Sequence, residues 1–126
     1  MKNSKKLTNY LAVLVWCGLI FILSNSPRIT TVDSQIVDFA LKKIAHFIEY
    51  FILGMLTYRA TNNILISISF CILFAVSDEF HQSFIPGREP RVRDVIIDSF
   101  GSITAIIIWN NLSQNLKKIQ KKLVRR

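Results

Sequence analysis

Ionisable side chains recur at helical spacing inside otherwise apolar stretches of this sequence. Lys43, His46, Glu49 and Tyr50 fall at i, i+3, i+6 and i+7, which stacks them on one face of a helix. Asp78, His81 and Gln82 share a second helical face with Glu79 beside them, and Asp94, Asp98 and Gly101 follow at i, i+4 and i+7. These residue types suit two kinds of chemistry. His46 or His81, with Glu49 or Asp78 as carboxylate partner, has the composition of an acid–base pair, and the same four side chains make an N/O set for zinc or another divalent cation. A histidine and a glutamate at i, i+3 also recur by chance, so the spacing suggests a divalent metal as cofactor without establishing one. Arg88 could clamp an anion such as a lipid phosphate, with Lys43 as a second charge; Tyr50, Glu79, Gln82, Asp94 and Asp98 would shape and charge the same site.

The elements that must carry these residues are read from where charge is missing. Residues 7–27, 60–77 and 99–116 contain no charged side chain, and 44–58 is apolar except for His46 and Glu49. A helix needs roughly 20 mainly apolar residues to cross a bilayer, so each run with its flanks is a candidate span. The sequence predicts an all-α, polytopic membrane bundle of four transmembrane helices at about 7–26, 40–59, 63–82 and 92–111. Val32, Ile36, Val37, Ala40, Leu41 and Ile44 keep helical spacing ahead of the second span and suggest a short interfacial helix feeding it. Residues 1–111 form the transmembrane domain in this reading.

Residues 112–126 read as a basic amphipathic tail, with Leu112, Leu116, Ile119 and Leu123 on one face and lysines and arginines around them. The first span could alternatively act as a cleaved signal, with Lys2, Lys5 and Lys6 ahead of it and Ser24-Asn25-Ser26 as the cleavage site. Its apolar stretch is long for that role, and three more spans follow.

The composition agrees with a membrane protein. Hydrophobic residues make up 51% and charged residues 19% of 126, which excludes a disordered polyelectrolyte; two cysteines exclude a disulfide scaffold. Cys17 and Cys71 fall near the middles of their spans and read as buried free thiols. The net charge of +8 would suit a nucleic-acid binder, but the topology separates it into two surfaces. With both termini on one side, that side holds Lys2, Lys5, Lys6, Arg59, Lys117, Lys118, Lys121, Lys122, Arg125 and Arg126. The other holds Arg28, Lys42, Lys43, Arg88, Arg91 and Arg93 together with every carboxylate. The excess of lysine and arginine predicts cytoplasmic termini, and the tail then lies on the anionic inner leaflet. Membrane lipids are the expected partners and nucleic acid is not.

An ionised group at a helix centre costs about 2.5–3.5 kcal/mol on insertion scales, so the polar residues should face one another inside the bundle. In the four-span topology all three groups fall in the outer half of the membrane. The segment 83–93 carries Pro86-Gly87, a turn signal that would fold Arg88 back over them, and Gly101 with Ala105 makes a small-residue stripe suited to close helix contact.

At these positions the chain resembles the VanZ-like family of small bacterial membrane proteins. The residues that carry the resemblance are Lys43-Ile44-Ala45-His46-Phe47-Ile48-Glu49-Tyr50 with Leu53-Gly54, then Ser77-Asp78-Glu79-Phe80-His81-Gln82. It continues through Phe84, Pro86-Gly87-Arg88, Asp94-Val95, Asp98 and Gly101, with Ser24 and Pro27 fitting the start of the outer loop. Ala105 stands where a second glycine often follows. The resemblance spans about residues 10–108 and implies a polytopic protein of the bacterial cytoplasmic membrane. The family's namesake is associated with resistance to the glycopeptide teicoplanin. No reaction common to the family is implied.

Three functions fit the residues. The first is an envelope factor that binds an anionic lipid or lipid-linked cell-wall precursor and alters glycopeptide susceptibility. The second is a membrane-embedded hydrolase or transferase acting on a lipid-linked phosphate or glycan, with His46 or His81 as base or metal ligand and Asp78 or Glu49 as its partner. The third is a proton-coupled transporter, since chains of Asp, Glu and His also relay protons. The residues permit catalysis without demonstrating it.

Overall fold

The computed structural model describes residues 2–25, 35–88 and 90–124. They form four helices: α1 (Lys2–Ser24), α2 (Gln35–Thr61), α3 (Ile64–Gln82) and α4 (Val92–Val124). Three of them, α1, α3 and α4, are long and apolar enough to cross a membrane, where four were expected. The exception, α2, is longer than α3. Asp38, Lys42, Lys43, Glu49 and Arg59 interrupt its apolar run, which lowers its mean hydropathy without shortening the helix. The outward faces are apolar. Leu14, Val15 and Ile22 of α1 and Leu65, Leu73 and Phe80 of α3 are exposed, a surface that lipid rather than water would accommodate.

The helices alternate in direction. Asn9 Nδ2 donates to the Arg59 carbonyl (3.2 Å) at one end of the α1–α2 pair, and Trp16 Nε1 donates to the Glu49 carbonyl (2.9 Å) farther along it. Between α2 and α3 the chain reverses in two residues. Asn62 takes the left-handed conformation (φ 52°), its N–H bonding the Tyr58 carbonyl at 2.8 Å; asparagine is among the few residues that tolerate this helix-ending geometry. Asn63 then caps α3, its side chain accepting from the Ile66 N–H at 3.1 Å.

The core is built by Val13, Ile20, Tyr50, Leu53, Cys71, Ala75 and Ile106, with Trp16, Phe74 and Trp109 packed around it. α1 is part of that core through Val13 and Ile20. The most extensive contact is between α2 and α4, and two glycines set it. A Cβ on Gly54 would collide with the backbone of Ser102, and one on Gly101 would lie 2.5 Å from the Phe47 carbonyl oxygen. Ala105, on the same stripe, is buried. Cys17 and Cys71 are free thiols, Cys71 buried.

Two boundaries of the sequence reading meet the described helices. Among the described residues α2 runs unbroken from Gln35, so Ile36, Val37, Ala40, Leu41 and Ile44 belong to it; residues 30–34 of the expected interfacial helix lie outside the described ones. The division expected at 111/112 falls inside α4, whose 33 residues extend about 50 Å at about 1.5 Å per residue. That exceeds the roughly 30 Å hydrocarbon layer; residues 112–124 continue the helix, and Leu112, Leu116, Ile119 and Leu123 are exposed along it.

Candidate functional site

The alternation of direction brings the C-terminal ends of α1 and α3 together with the N-terminal halves of α2 and α4. Every polar residue singled out in the sequence lies toward this end. From α2 come Lys43, His46, Glu49 and Tyr50, from α3 Asp78, Glu79, His81 and Gln82, and from α4 Asp94 and Asp98.

Lys43 Nζ pairs with Asp94 Oδ1 at 2.5 Å. One turn farther along, His46 Nδ1 stands 3.4 Å from Asp98 Oδ1, close enough for an ion pair but without hydrogen-bond geometry. The carboxylate partner of His46 is therefore Asp98 on the facing helix, not Asp78 or its own-helix neighbour Glu49. Helix rotation decides this, and sequence spacing does not report it across helices. The Glu49 carboxylate lies within electrostatic range of His46, Asp98, Asp78 and Arg88, so the groups of all three helices form one charged cluster.

Asp78 is buried at 2% exposure. Its Oδ2 accepts from Ser24 Oγ (2.8 Å) and Gln82 Nε2 (3.0 Å), and Gln82 Nε2 also reaches Ser24 Oγ at 3.2 Å. Glu79 Oε1 accepts from the Arg91 N–H at 2.6 Å. The Pro86-Gly87 turn forms as the sequence implies: Gly87 has φ 79° and the Arg88 N–H bonds the Ile85 carbonyl at 3.1 Å. The turn brings Arg88 Nη1 to Gln82 Oε1 at 2.8 Å, over the end of α3.

His81 takes a different direction from Asp78 and Gln82. Its ring stacks on Phe21 of α1, with centroids 4.2 Å apart. His46 faces α4 while His81 faces α1, so the set His46, Glu49, Asp78 and His81 is not gathered as a metal centre. Among the described residues no group of three or more His, Cys, Asp or Glu is disposed to hold a metal ion.

The unsatisfied acceptors distinguish this site from a set of ion pairs. Asp98 is 1% exposed and Tyr50 fully buried, yet both Asp98 oxygens and the Tyr50 hydroxyl lack a hydrogen-bond partner among the described residues. Asp78 Oδ1, Glu79 Oε2, His46 Nδ1 and His81 Nε2 share that condition. Leaving a buried polar group unbonded costs about 1–3 kcal/mol, more when charged, and native structures contain few such groups. A ligand that brings donors would offset the cost.

Sequence reasoning missed the contribution of α1. Ser24 holds Asp78, Trp16 holds the α2 backbone at Glu49, and Phe21 seats His81. The available signal for Ser24 was its place as the polar residue that ends the apolar run. Nothing marked Trp16 or Phe21 apart from other apolar residues.

A profile described as VanZ/LLP1 matches residues 7–113, which takes in all four described helices up to the start of the basic tail. No curated protein and no solved structure matches the chain.

Proposed function

The chain belongs to the VanZ/LLP1 family, and from that premise we propose that it binds the head group of a phosphate-bearing envelope lipid. The head group enters the polar cluster between α2, α3 and α4. In this reading α2 is the fourth span, both termini are cytoplasmic, and the cluster opens on the outer face of a bacterial cytoplasmic membrane. The distribution of lysine and arginine supports that orientation.

The observation that carries the proposal is Asp98, an almost fully buried carboxylate with neither oxygen hydrogen-bonded. With Tyr50, Asp78 and Glu79 it offers acceptors to a ligand rich in hydroxyl or ammonium donors. Arg88, seated on Gln82, stands at the same end and suits the phosphate. A lipid-linked sugar phosphate and a hydroxylated phospholipid share this chemistry. Sequestering a cell-wall precursor or its neighbouring lipid would alter glycopeptide susceptibility, which links the site to the family's namesake.

The test is the protein's effect on teicoplanin susceptibility, together with lipid retention, in Asp78→Asn, Asp98→Asn and Arg88→Ala proteins. Loss of both supports the proposal. Wild-type behaviour of all three variants overturns it.

The His46–Asp98 contact favours a second reading, a hydrolase or transferase acting on the same class of lipid. At 3.4 Å the pair is not hydrogen-bonded, but a small rotation of the ring would bring Nδ1–H onto Asp98 and leave Nε2 to take a proton. Turnover of a lipid-linked phosphate that disappears in His46→Gln, with binding retained, would select this reading over simple binding.

A further inference from the structure

The seam between α2 and α4 carries a second feature on its lipid-facing side. Lys43, Ile44 and Phe47 of α2 and Ile96, Ile97 and Phe100 of α4 line an open groove of about 490 Å³, apolar except for Lys43. Ile44, Ile96 and Phe100 are exposed along it. The Phe47 and Phe100 rings lie 6.1 Å apart at the end away from Lys43. In the same stretch Gly101 brings α4 against the Phe47 carbonyl.

The other end of the groove is cationic. The Lys43 ammonium lies 5.4 Å from the centre of the Phe39 ring and the Arg93 guanidinium 4.7 Å from it. Both approach a single carboxylate oxygen, Asp94 Oδ1, at 2.5 Å and 3.8 Å. Lys43 is taken up by Asp94, whereas Arg93, with about half of its side chain exposed, keeps a cationic face beside the apolar channel, and an amphiphile with a negatively charged head group complements both parts. Lys43 also lies one turn from His46, so the groove and the buried cluster share their mouth.

We propose that this groove holds a hydrocarbon chain of the bound phosphate lipid, which reaches the polar cluster sideways from the bilayer between α2 and α4. The inference rests on the head-group reading above and adds where the chain lies and by which face the lipid arrives. Lys43 and Arg93 meet the phosphate as it passes, and the branched aliphatic and aromatic side chains below take the chain.

The experiment uses full-length protein in detergent with two probes, dioleoylphosphatidylglycerol and its chain-free head group, glycerophosphoglycerol. Retained phospholipid is counted by native mass spectrometry, and head-group contact is read by saturation-transfer NMR. Ile97→Trp and Ile96→Trp fill the groove, and Ile107→Trp adds the same bulk on an exposed part of α4 beyond it. The expected result is at least a tenfold loss of phospholipid in the groove variants, with Ile107→Trp and the head-group signal unchanged. Groove variants that keep the phospholipid while Asp98→Asn loses it would overturn the groove assignment and leave the head-group site standing. Phospholipid loss in groove variants without any wild-type head-group signal would support the groove and overturn the head-group reading. Equal losses in Ile107→Trp, or a dimer that the groove variants dissociate, would also overturn the groove assignment.

Discussion

The hydroxyl of Ser24 donates to Oδ2 of Asp78 across 2.8 Å, joining the last residue of α1 to a buried acid of α3. A neutral residue at the end of an apolar helix thereby fixes one oxygen of a carboxylate whose other oxygen is left unbonded. Ser24→Ala should lower stability by about 1.5–3 kcal/mol, the range for a hydrogen bond to a charged group, while Ser24→Thr, which keeps the hydroxyl, should fall between. Thermal unfolding in detergent measures both.

The glycines at the α2–α4 contact and the one in α1 should respond to a methyl group in opposite ways. Gly54→Ala and Gly101→Ala place a methyl group against backbone that cannot move aside and should each cost about 1–3 kcal/mol, the range for overpacking. At Gly18 the space a methyl group would take has no atom within 4 Å, so Gly18→Ala should be neutral or stabilise α1 by up to about 1 kcal/mol through helix propensity. Melting temperatures of the three variants would show the contrast.

Asp98 should trade stability for function. It has no hydrogen bond and only a 3.4 Å contact with His46, so Asp98→Asn removes a charge whose burial is poorly compensated. The variant should unfold at or above the wild-type temperature and yet retain less phosphatidylglycerol after purification. A large fall in melting temperature with that retention intact would show that Asp98 serves packing alone.

Topology is accessible to labelling. In a background lacking Cys17 and Cys71, Ile36→Cys and Arg88→Cys should react with an impermeant maleimide added outside intact cells, while Gln120→Cys, in the last turns of α4, should react only after lysis. The reverse pattern would place the polar cluster at the cytoplasmic face.

The helices were legible because charge is expensive in a bilayer, and long uncharged runs are therefore informative even without alignment. Their ends were less legible. α2 begins at Gln35 and α4 continues to Val124 because a helix does not stop where the hydrocarbon does. Helical phase and span order did foretell which polar residues share one end of the bundle: Lys43, His46, Glu49 and Tyr50 lie there with Asp78, Asp94 and Asp98. Pairing across helices did not follow, since it depends on how each helix is rotated and how deeply it sits. His46 meets Asp98 rather than Asp78, Lys43 is engaged by Asp94, and His81 turns to Phe21. The role of α1 was hidden for a simpler reason: Ser24 and Trp16 are uncharged, and their hydrogen bonds leave no mark on hydropathy.

The most direct test of the head-group site is the affinity of purified protein for dioleoylphosphatidylglycerol, titrated by native mass spectrometry in wild-type and Asp98→Asn forms. Dioleoylphosphatidylcholine, with the same chains and phosphate but no hydroxyl or N–H donors, is the reference lipid. Selective binding of the phosphatidylglycerol, weakened about tenfold by Asp98→Asn or roughly 1.4 kcal/mol, is the predicted result. Equal affinity for the two lipids, unchanged by the substitution, would mean that water or bound protons alone occupy the acceptors and would contradict a head-group site.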